Sequence, residues 1–416
     1  MRSSFDNDPY PGRPKILFIG FTESSHTHSW IDLLESSELN VRLFGLPSAV
    51  PPDDFKVRTY VTGVTAAKLN AETRSRFYSR SRIGQLSKKG FSRLLVGDVR
   101  GFEEKWLAKI IRQWRPDVIH TLGLEPAAYL YNRVRVRFGL EDIGKWVATV
   151  RGGPDLALRR LLPEYVPRIR SVLTACDKLV ADNRQNYEYA LALGLKESQI
   201  AGIGEVPGTG GIDVEYLSKS WHGTPSERRL ILWPKAAECN QSKALPVLEA
   251  LRLSWDRMPP CEVRMLAVIP EVTMWFQTLP DRIRERCTLS ERVPRPETLE
   301  LMTTARIMLA PTLSDGVPNC MYEAMAAGAF PIVSPLETIR PIVEDERNVL
   351  FARNLYPTEI AAALCRAMTD DVLVDRAADA NLARVREVAD RSVIRPRVIE
   401  FYKQLAKREL AETVAN

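Results

Sequence analysis

The sequence predicts an α/β chain of two consecutive doubly wound domains. Three observations carry this. Short β-branched and aromatic runs alternate with stretches of helical length from residue 15 onward, the pattern of a parallel sheet covered on both faces. The alternation breaks once, near 202–226, at GIGEVPGTGGID and KSWHGTPSERR. Glycine, proline and polar residues concentrate there, as at a domain boundary. The chain of 416 residues is long enough for two or three cores of about 100–200 residues each.

The first strand is KILFIGF, 15–21, followed by a helix from His28 to Leu34 and a strand VRLFGL, 41–46. A helix near 101–114 leads into the strand RPDVIHTLG, 115–123, and a helix near 126–138 into KWVATV, 145–150. A long helix near 155–175, the strand KLVAD, 178–182, and a helix near 184–193 complete the first half. After the break come the strand RLILW, 229–233, a helix at 242–254, and the strand CEVRMLAVI, 261–269. Helices near 272–278 and 296–304, the strand ARIMLAP, 305–311, the helix 319–327 and the strand FPIVS, 330–334, precede the C-terminal helices. The expected division is 1–212, 213–395, and a last helix at 396–416 packing back on the first domain.

Composition narrows the function. With 45% hydrophobic and 26% charged residues, disordered and fibrous classes are excluded. No apolar run approaches the roughly 20 residues of a membrane span. The N-terminal MRSSFDNDPYPGRP lacks the apolar centre of a signal peptide, so a cytoplasmic protein is expected. The six cysteines are scattered and read as reduced thiols. The four histidines, His26, His28, His120 and His222, give no metal-ligand spacing, so no metal site is expected. Residues 56–115 hold 15 lysines and arginines against four acids, a net +11, which leaves −5 for the rest of a chain whose total is +6. Such a segment suits anionic lipid, an acidic saccharide or nucleic acid, or is simply a solvated surface.

The most informative stretch is ARIMLAPTLSDGVPNCMYEAMAAGAFPIVS, 305–334. It reads as a strand, a turn with Ser314, Asp315 and Gly316, then a helix starting near Pro318, since proline suits a helix's first turn. Free amides at 316–320 on a positive helix end would make a phosphate site. Asp315 outside that helix and Glu323 a turn inside it suit neutral hydroxyls that donate hydrogen bonds to them. Taken singly, they also read as an N-cap aspartate and a solvent-facing glutamate.

As a string, Asp315-Gly316-Val317-Pro318 and Glu323-Ala324-Met325-Ala326-Ala327-Gly328 followed by PIVS resembles the donor-binding signature of retaining glycosyltransferases of family 4. The later IRPIVEDERNVLFARN, with a strand at Asn348, is similar to the family's next segment. The resemblance implies the GT-B fold, two Rossmann-like doubly wound domains facing each other across a cleft. It implies a metal-independent, retaining transfer of a sugar from a nucleotide-diphosphate sugar to a hydroxyl acceptor, with no cofactor. Glu323 would bind the donor ribose and Asp315, where the family has glutamate, the transferred sugar. Amides at Gly316, Val317, Asn319 and Cys320 would face the sugar or diphosphate, while Pro318 has no donor to offer.

The resemblance further implies that Lys235 and Lys243 hold the diphosphate, at a spacing longer than the family's, and that Val293, after Arg292, holds the base by backbone atoms. Arg151 stands where many relatives have histidine. It is no base there, but could anchor a phosphate or an acidic acceptor, or sit in a structural ion pair. His26, His28, His120 and Glu125 read more readily as capping or packing groups. Competing readings are a GT-B epimerase or phosphorylase, and a membrane or nucleic-acid binder with a degenerate cleft. The expected partners are a nucleotide sugar, a saccharide or lipid-linked acceptor and anionic membrane met through residues 56–115. Nucleic acid is not expected.

Overall fold

The computed structural model describes residues 7–46, 55, 57–61, 75–77 and 99–414. The chain forms two compact units, Met1–Arg151 with Asp155–Gly210 and Ile394–Asn416, and Gly152–Pro154 with Gly211–Val393.

Unit 1 contains β1 (Lys15–Phe21), α1 (Ser25–Ile31), β2 (Asn40–Leu46), β3 (Arg58–Val61), β4 (Ser75–Phe77), α2 (Val99–Trp114), β5 (Val118–Leu122) and α3 (Tyr129–Phe138). It continues with β6 (Lys145–Val150), α4 (Val166–Ala175), β7 (Lys178–Ala181) and α5 (Arg184–Ala192). All seven strands are parallel, in the order β4-β3-β2-β1-β5-β6-β7. Strand order reverses between β1 and β5. Side chains alternate across β1 as the pleat requires. Leu17 and Ile19 enter one core with Trp106, Trp146 and Leu173; Ile16 and Phe18 enter the other with Trp30, Leu33 and Tyr402.

Unit 2 contains α6 (Val214–Lys219), β8 (Leu230–Trp233), α7 (Leu245–Ser254), β9 (Glu262–Met265), α8 (Pro270–Phe276), α9 (Asp281–Arg284), β10 (Cys287–Leu289) and α10 (Arg295–Thr304). Then follow β11 (Ala305–Ala310), α11 (Asn319–Ala326), β12 (Phe330–Val333), β13 (Leu350–Phe351), α12 (Pro357–Thr369) and α13 (Asp371–Val388). Its six parallel strands run β10-β9-β8-β11-β12-β13, reversing between β8 and β11. Ile231, Trp233, Ile307 and Leu309 face one core, and Leu232, Met308 and Ala310 the other. The last helix, α14 (Arg391–Val414), packs Ile394, Val398 and Tyr402 into the second core of unit 1. Among the described residues, no helix is long and apolar enough to cross a membrane.

Several elements differ from the sequence reading. The long helix expected at 155–175 is split into a short helical stretch over 153–159 and α4; Pro163 lies among the turns between them, and Pro167 sits in the first turn of α4, because proline ends one helix and starts another. The strand at 261–269 stops at Met265, and Ala267 adopts a left-handed φ of 59°. The helix expected from 242 starts at Leu245, since Cys239 and Ser242 pair in a short antiparallel bridge. The strand placed at Asn348 starts at Leu350. Strands β3, β4 and β10 were not expected. Residues 62–74 and 78–98, the larger part of the basic segment, lie outside the described residues.

Candidate donor site in unit 2

In an open α/β sheet, ligands bind beyond the carboxyl ends of the strands where strand order reverses. In unit 2 that point lies between β8 and β11. The loop after β8 carries Lys235, and the loop after β11 carries Asp315. Their side chains meet there, Lys235 Nζ 3.8 Å from Asp315 Oδ2.

The 311–318 loop is held on several sides. The Leu313 amide donates to the Gln241 carbonyl at 2.7 Å, and the Thr312 amide to Ser334 Oγ at 3.0 Å. Thr338 Oγ1 donates to the carbonyls of Gly316, at 2.9 Å, and Asp315, at 3.2 Å. Pro318, expected within the first turn, is instead the N-cap of α11, with an extended backbone. The amide of Gly316, expected to be free, donates to Asp315 Oδ1 at 2.8 Å. That bond aims the carboxylate and takes one donor out of the phosphate cradle. The Val317 amide has no partner among the described residues. Cys320 is buried, which pushes its thiol up to about 11, so it is a neutral packing group beside the loop.

Glu323 lies on α11 and is only 7% exposed. Its Oε1 accepts two bonds from Arg295, from Nη2 at 2.6 Å and Nε at 3.2 Å. Its Oε2 has no hydrogen-bond partner among the described residues. A buried carboxylate with one oxygen neutralised and the other unbonded is a ready acceptor for a ligand hydroxyl. Lys235 is exposed, and the Asp315 and Glu323 carboxylates beside it raise its pKa. Lys235 stays cationic.

Lys243, expected to hold the diphosphate, is paired with a carboxylate. Its Nζ lies 2.6 Å from Glu238 Oε1, and Glu238 Oε2 accepts the Ala244 amide at 2.9 Å. Asn354 fixes the same turn, accepting the Lys243 amide at 2.9 Å and donating to the Pro311 carbonyl. Val293 stands in the loop between β10 and α10 rather than at a strand end, with its side chain on the core of unit 2. Its backbone amide and carbonyl make no hydrogen bond among the described residues.

Arg295 and Glu238 were missed by the sequence reading. Arg295 follows Val293 by two residues, and Glu238 lies within the long interval between the two lysines; that interval was the signal for it. Among the described residues, no group of three or more His, Cys, Asp or Glu side chains is placed to hold a metal ion.

Arg151 follows the end of β6 in unit 1. His120 is a packing group: it bonds Tyr402 Oη and Thr149 Oγ1, both at 2.5 Å. Burial, then the charge of Arg151, lowers its pKa to about 3. Glu125 pairs with Arg159, and His28 bonds the Thr22 carbonyl at 2.6 Å and stacks on Phe55.

Two parallel-sheet units, each with its own strand-order reversal, define the GT-B architecture. Residues 231–370 match the family model described as Glycosyl transferases group 1. No curated protein sequence matches the chain significantly. Among solved structures, HepE of Anabaena in complex with UDP and glucose is similar with a TM-score of 0.63 at 12% identity, over 93% of this chain and 99% of that one. Sucrose-phosphate synthase from Thermosynechococcus elongatus gives 0.63 at 14% identity, over 94% and 99%. MnaA of S. aureus, solved with UDP, gives 0.59 at 13% identity, over 92% and 94%.

Proposed function

We propose that the protein is a retaining, metal-independent glycosyltransferase that moves a sugar from a nucleotide-diphosphate sugar to a hydroxyl acceptor, in polysaccharide, lipopolysaccharide or glycolipid assembly. The observation that carries this is Glu323, buried on α11 with one oxygen unbonded, next to the Asp315-Gly316-Val317-Pro318 turn at the reversal point of unit 2. Two solved neighbours contain UDP, which supports a nucleotide donor.

In this reading Glu323 Oε2 accepts a ribose hydroxyl while Arg295 holds Oε1, and Val293 offers its backbone to the base. Asp315, aimed by the Gly316 amide, accepts hydroxyls of the sugar. Lys235 and Lys243, each also paired with a carboxylate, donate to the diphosphate and stabilise its charge as the glycosidic bond breaks. The Val317, Asn319 and Cys320 backbone adds polar lining. Rate then comes from leaving-group stabilisation and positioning rather than from a nucleophile.

The test is a nucleotide-sugar panel read by released nucleoside diphosphate, with product anomers followed by NMR. Acceptor-dependent release with retained configuration is expected. Inversion would overturn retention, and donor interconversion without acceptor would assign the site to an epimerase. Activity is expected to survive EDTA. Complete loss, restored by magnesium or manganese, would overturn metal independence.

A further inference from the structure

Arg151 is the one group in the candidate set that lies in unit 1, and its surroundings are unusual. Its Nη1 is buried and has no hydrogen-bond partner, and no other described residue forms an ion pair with its guanidinium. Asp155 and Asp182 both favour its charge at a distance, yet neither bonds it. The Asp155 carboxylate is spent on backbone, accepting the Leu124 amide at 3.0 Å and the Arg151 amide at 3.2 Å. Asp182 Oδ1 is taken by Asn183 Nδ2 at 2.7 Å and Asn186 Nδ2 at 2.9 Å. Arg151 as a whole is half-buried, and a guanidinium partly withdrawn from water without a bonded anion is costly.

The same neighbourhood holds a second orphan. Tyr129 Oη is buried without a partner, and its surroundings include Arg159, Asp155, Glu125 and Arg168. Asp155 in turn feels both Arg151 and Arg159. Asp155 thus bears on both groups: it accepts the Arg151 amide, favours the Arg151 charge and acts on the Tyr129 hydroxyl, with Arg159 acting on it as well. Arginine, fixed in charge and forked, is the side chain best matched to an oxyanion.

We propose that Arg151, with Tyr129, forms an anion-binding site in unit 1 that takes a phosphate monoester carried by the acceptor. Only the naming of the acceptor as the carrier rests on the transferase reading; the anion site does not.

The experiment is thermal unfolding of the full chain with inorganic phosphate, methyl phosphate or acetate at matched ionic strength. In wild type, both phosphates are expected to raise Tm and acetate to do little. Arg151→Gln should weaken the apparent phosphate affinity by about tenfold or more, Arg151→Lys should recover part of it, and the double variant Lys235→Gln/Lys243→Gln should keep it. In phosphate-free buffer, Arg151→Met should unfold at a higher temperature than wild type, since it removes an unpaired buried charge. Loss of the phosphate effect in the lysine double variant, with retention in Arg151→Gln, would move the anion to unit 2 and overturn the proposal. So would a lower Tm for Arg151→Met together with no phosphate effect on wild type, the behaviour of a structural arginine. A response to inorganic phosphate alone would overturn the monoester assignment, and an equal response to acetate would overturn the preference for phosphate.

Discussion

Glu323 and Asp315 are both carboxylates at one loop, but their partners separate their work. Glu323 gives one oxygen to Arg295 and leaves the other without a hydrogen-bond partner among the described residues, whereas Asp315 is aimed by the Gly316 amide and paired with Lys235. Glu323→Ala is expected to lower turnover at least about tenfold, a loss of roughly 1.4 kcal/mol, and to weaken binding of the bare nucleoside diphosphate. Asp315→Asn should lower turnover while leaving that binding nearly intact. Calorimetric titration of both variants decides; equal losses of nucleotide binding would remove the distinction. Glu238 offers a test of the opposite sign. Its charge is held against Lys243 at 2.6 Å, so Glu238→Gln frees the lysine while an amide oxygen still accepts the Ala244 N–H. Nucleoside diphosphate affinity should rise by a few fold, about 0.5–1 kcal/mol, and unchanged or weaker binding would argue that Lys243 does not meet the diphosphate. The residue types of this site were legible in the sequence because turn, proline and glutamate fall at fixed offsets along one strand–loop–helix. Arg295 was not, because its bond to Glu323 joins two helices 28 positions apart that no local spacing relates.

Elements were legible where burial and chain punctuation agreed. KWVATV and ARIMLA are buried along nearly their whole length and end at a turn, so continuous apolar runs marked them well. The reading of 155–175 failed where helical composition and proline competed, and proline won. Strands β4 and β10 are three residues long each, too short to show a period. Two positions in unit 2 matter for how its elements lock together. Gly328 follows α11 with φ of 75°, and a Cβ there would lie 2.9 Å from the Trp221 ring. That ring is held by its Nε1 bond to the Ala326 carbonyl at 2.8 Å, so it has little room to retreat. Gly328→Ala should cost about 1–3 kcal/mol, read as a lower urea midpoint with an unchanged m-value. Arg306, fully buried in β11, donates to the carbonyls of Ala367 and Ser226 and to Asp371. Arg306→Ala removes the guanidinium from the Ala367 carbonyl and one of the two donors of the Ser226 carbonyl, which keeps Arg229, and should cost about 3 kcal/mol. A midpoint within error of wild type would show that water replaces the guanidinium there.

At the scale of the whole molecule the question is where its charge lies. A total of +6 conceals +11 on residues 56–115 and a mildly acidic remainder. Part of that excess is visible on α2, where Lys105, Lys109 and Arg112 are exposed. The neighbouring α3 adds to it, because the buried Glu104 of α2 holds Arg133 at 3.0 Å and Arg137 at 2.8 Å, two arginines against one carboxylate. If this surface meets anionic lipid, each lysine or arginine near it would contribute about 1 kcal/mol, so several together would suffice for peripheral docking. A lipid-linked acceptor would gain from this, its tail staying in the bilayer while its head reaches the enzyme. The attraction is screened, since the Debye length shrinks to about 3 Å at 1 M salt. Sedimentation with vesicles should therefore show binding to phosphatidylserine-containing but not to neutral phosphatidylcholine vesicles, reversed by high salt. Replacing Arg74, Arg76, Arg80 and Arg82 with serine should weaken that binding and leave nucleoside diphosphate affinity unchanged. Equal sedimentation of wild type and variant would return the segment to a solvated surface and favour a soluble acceptor. Binding that persists at 1 M salt would point to apolar insertion, which charge alone does not provide.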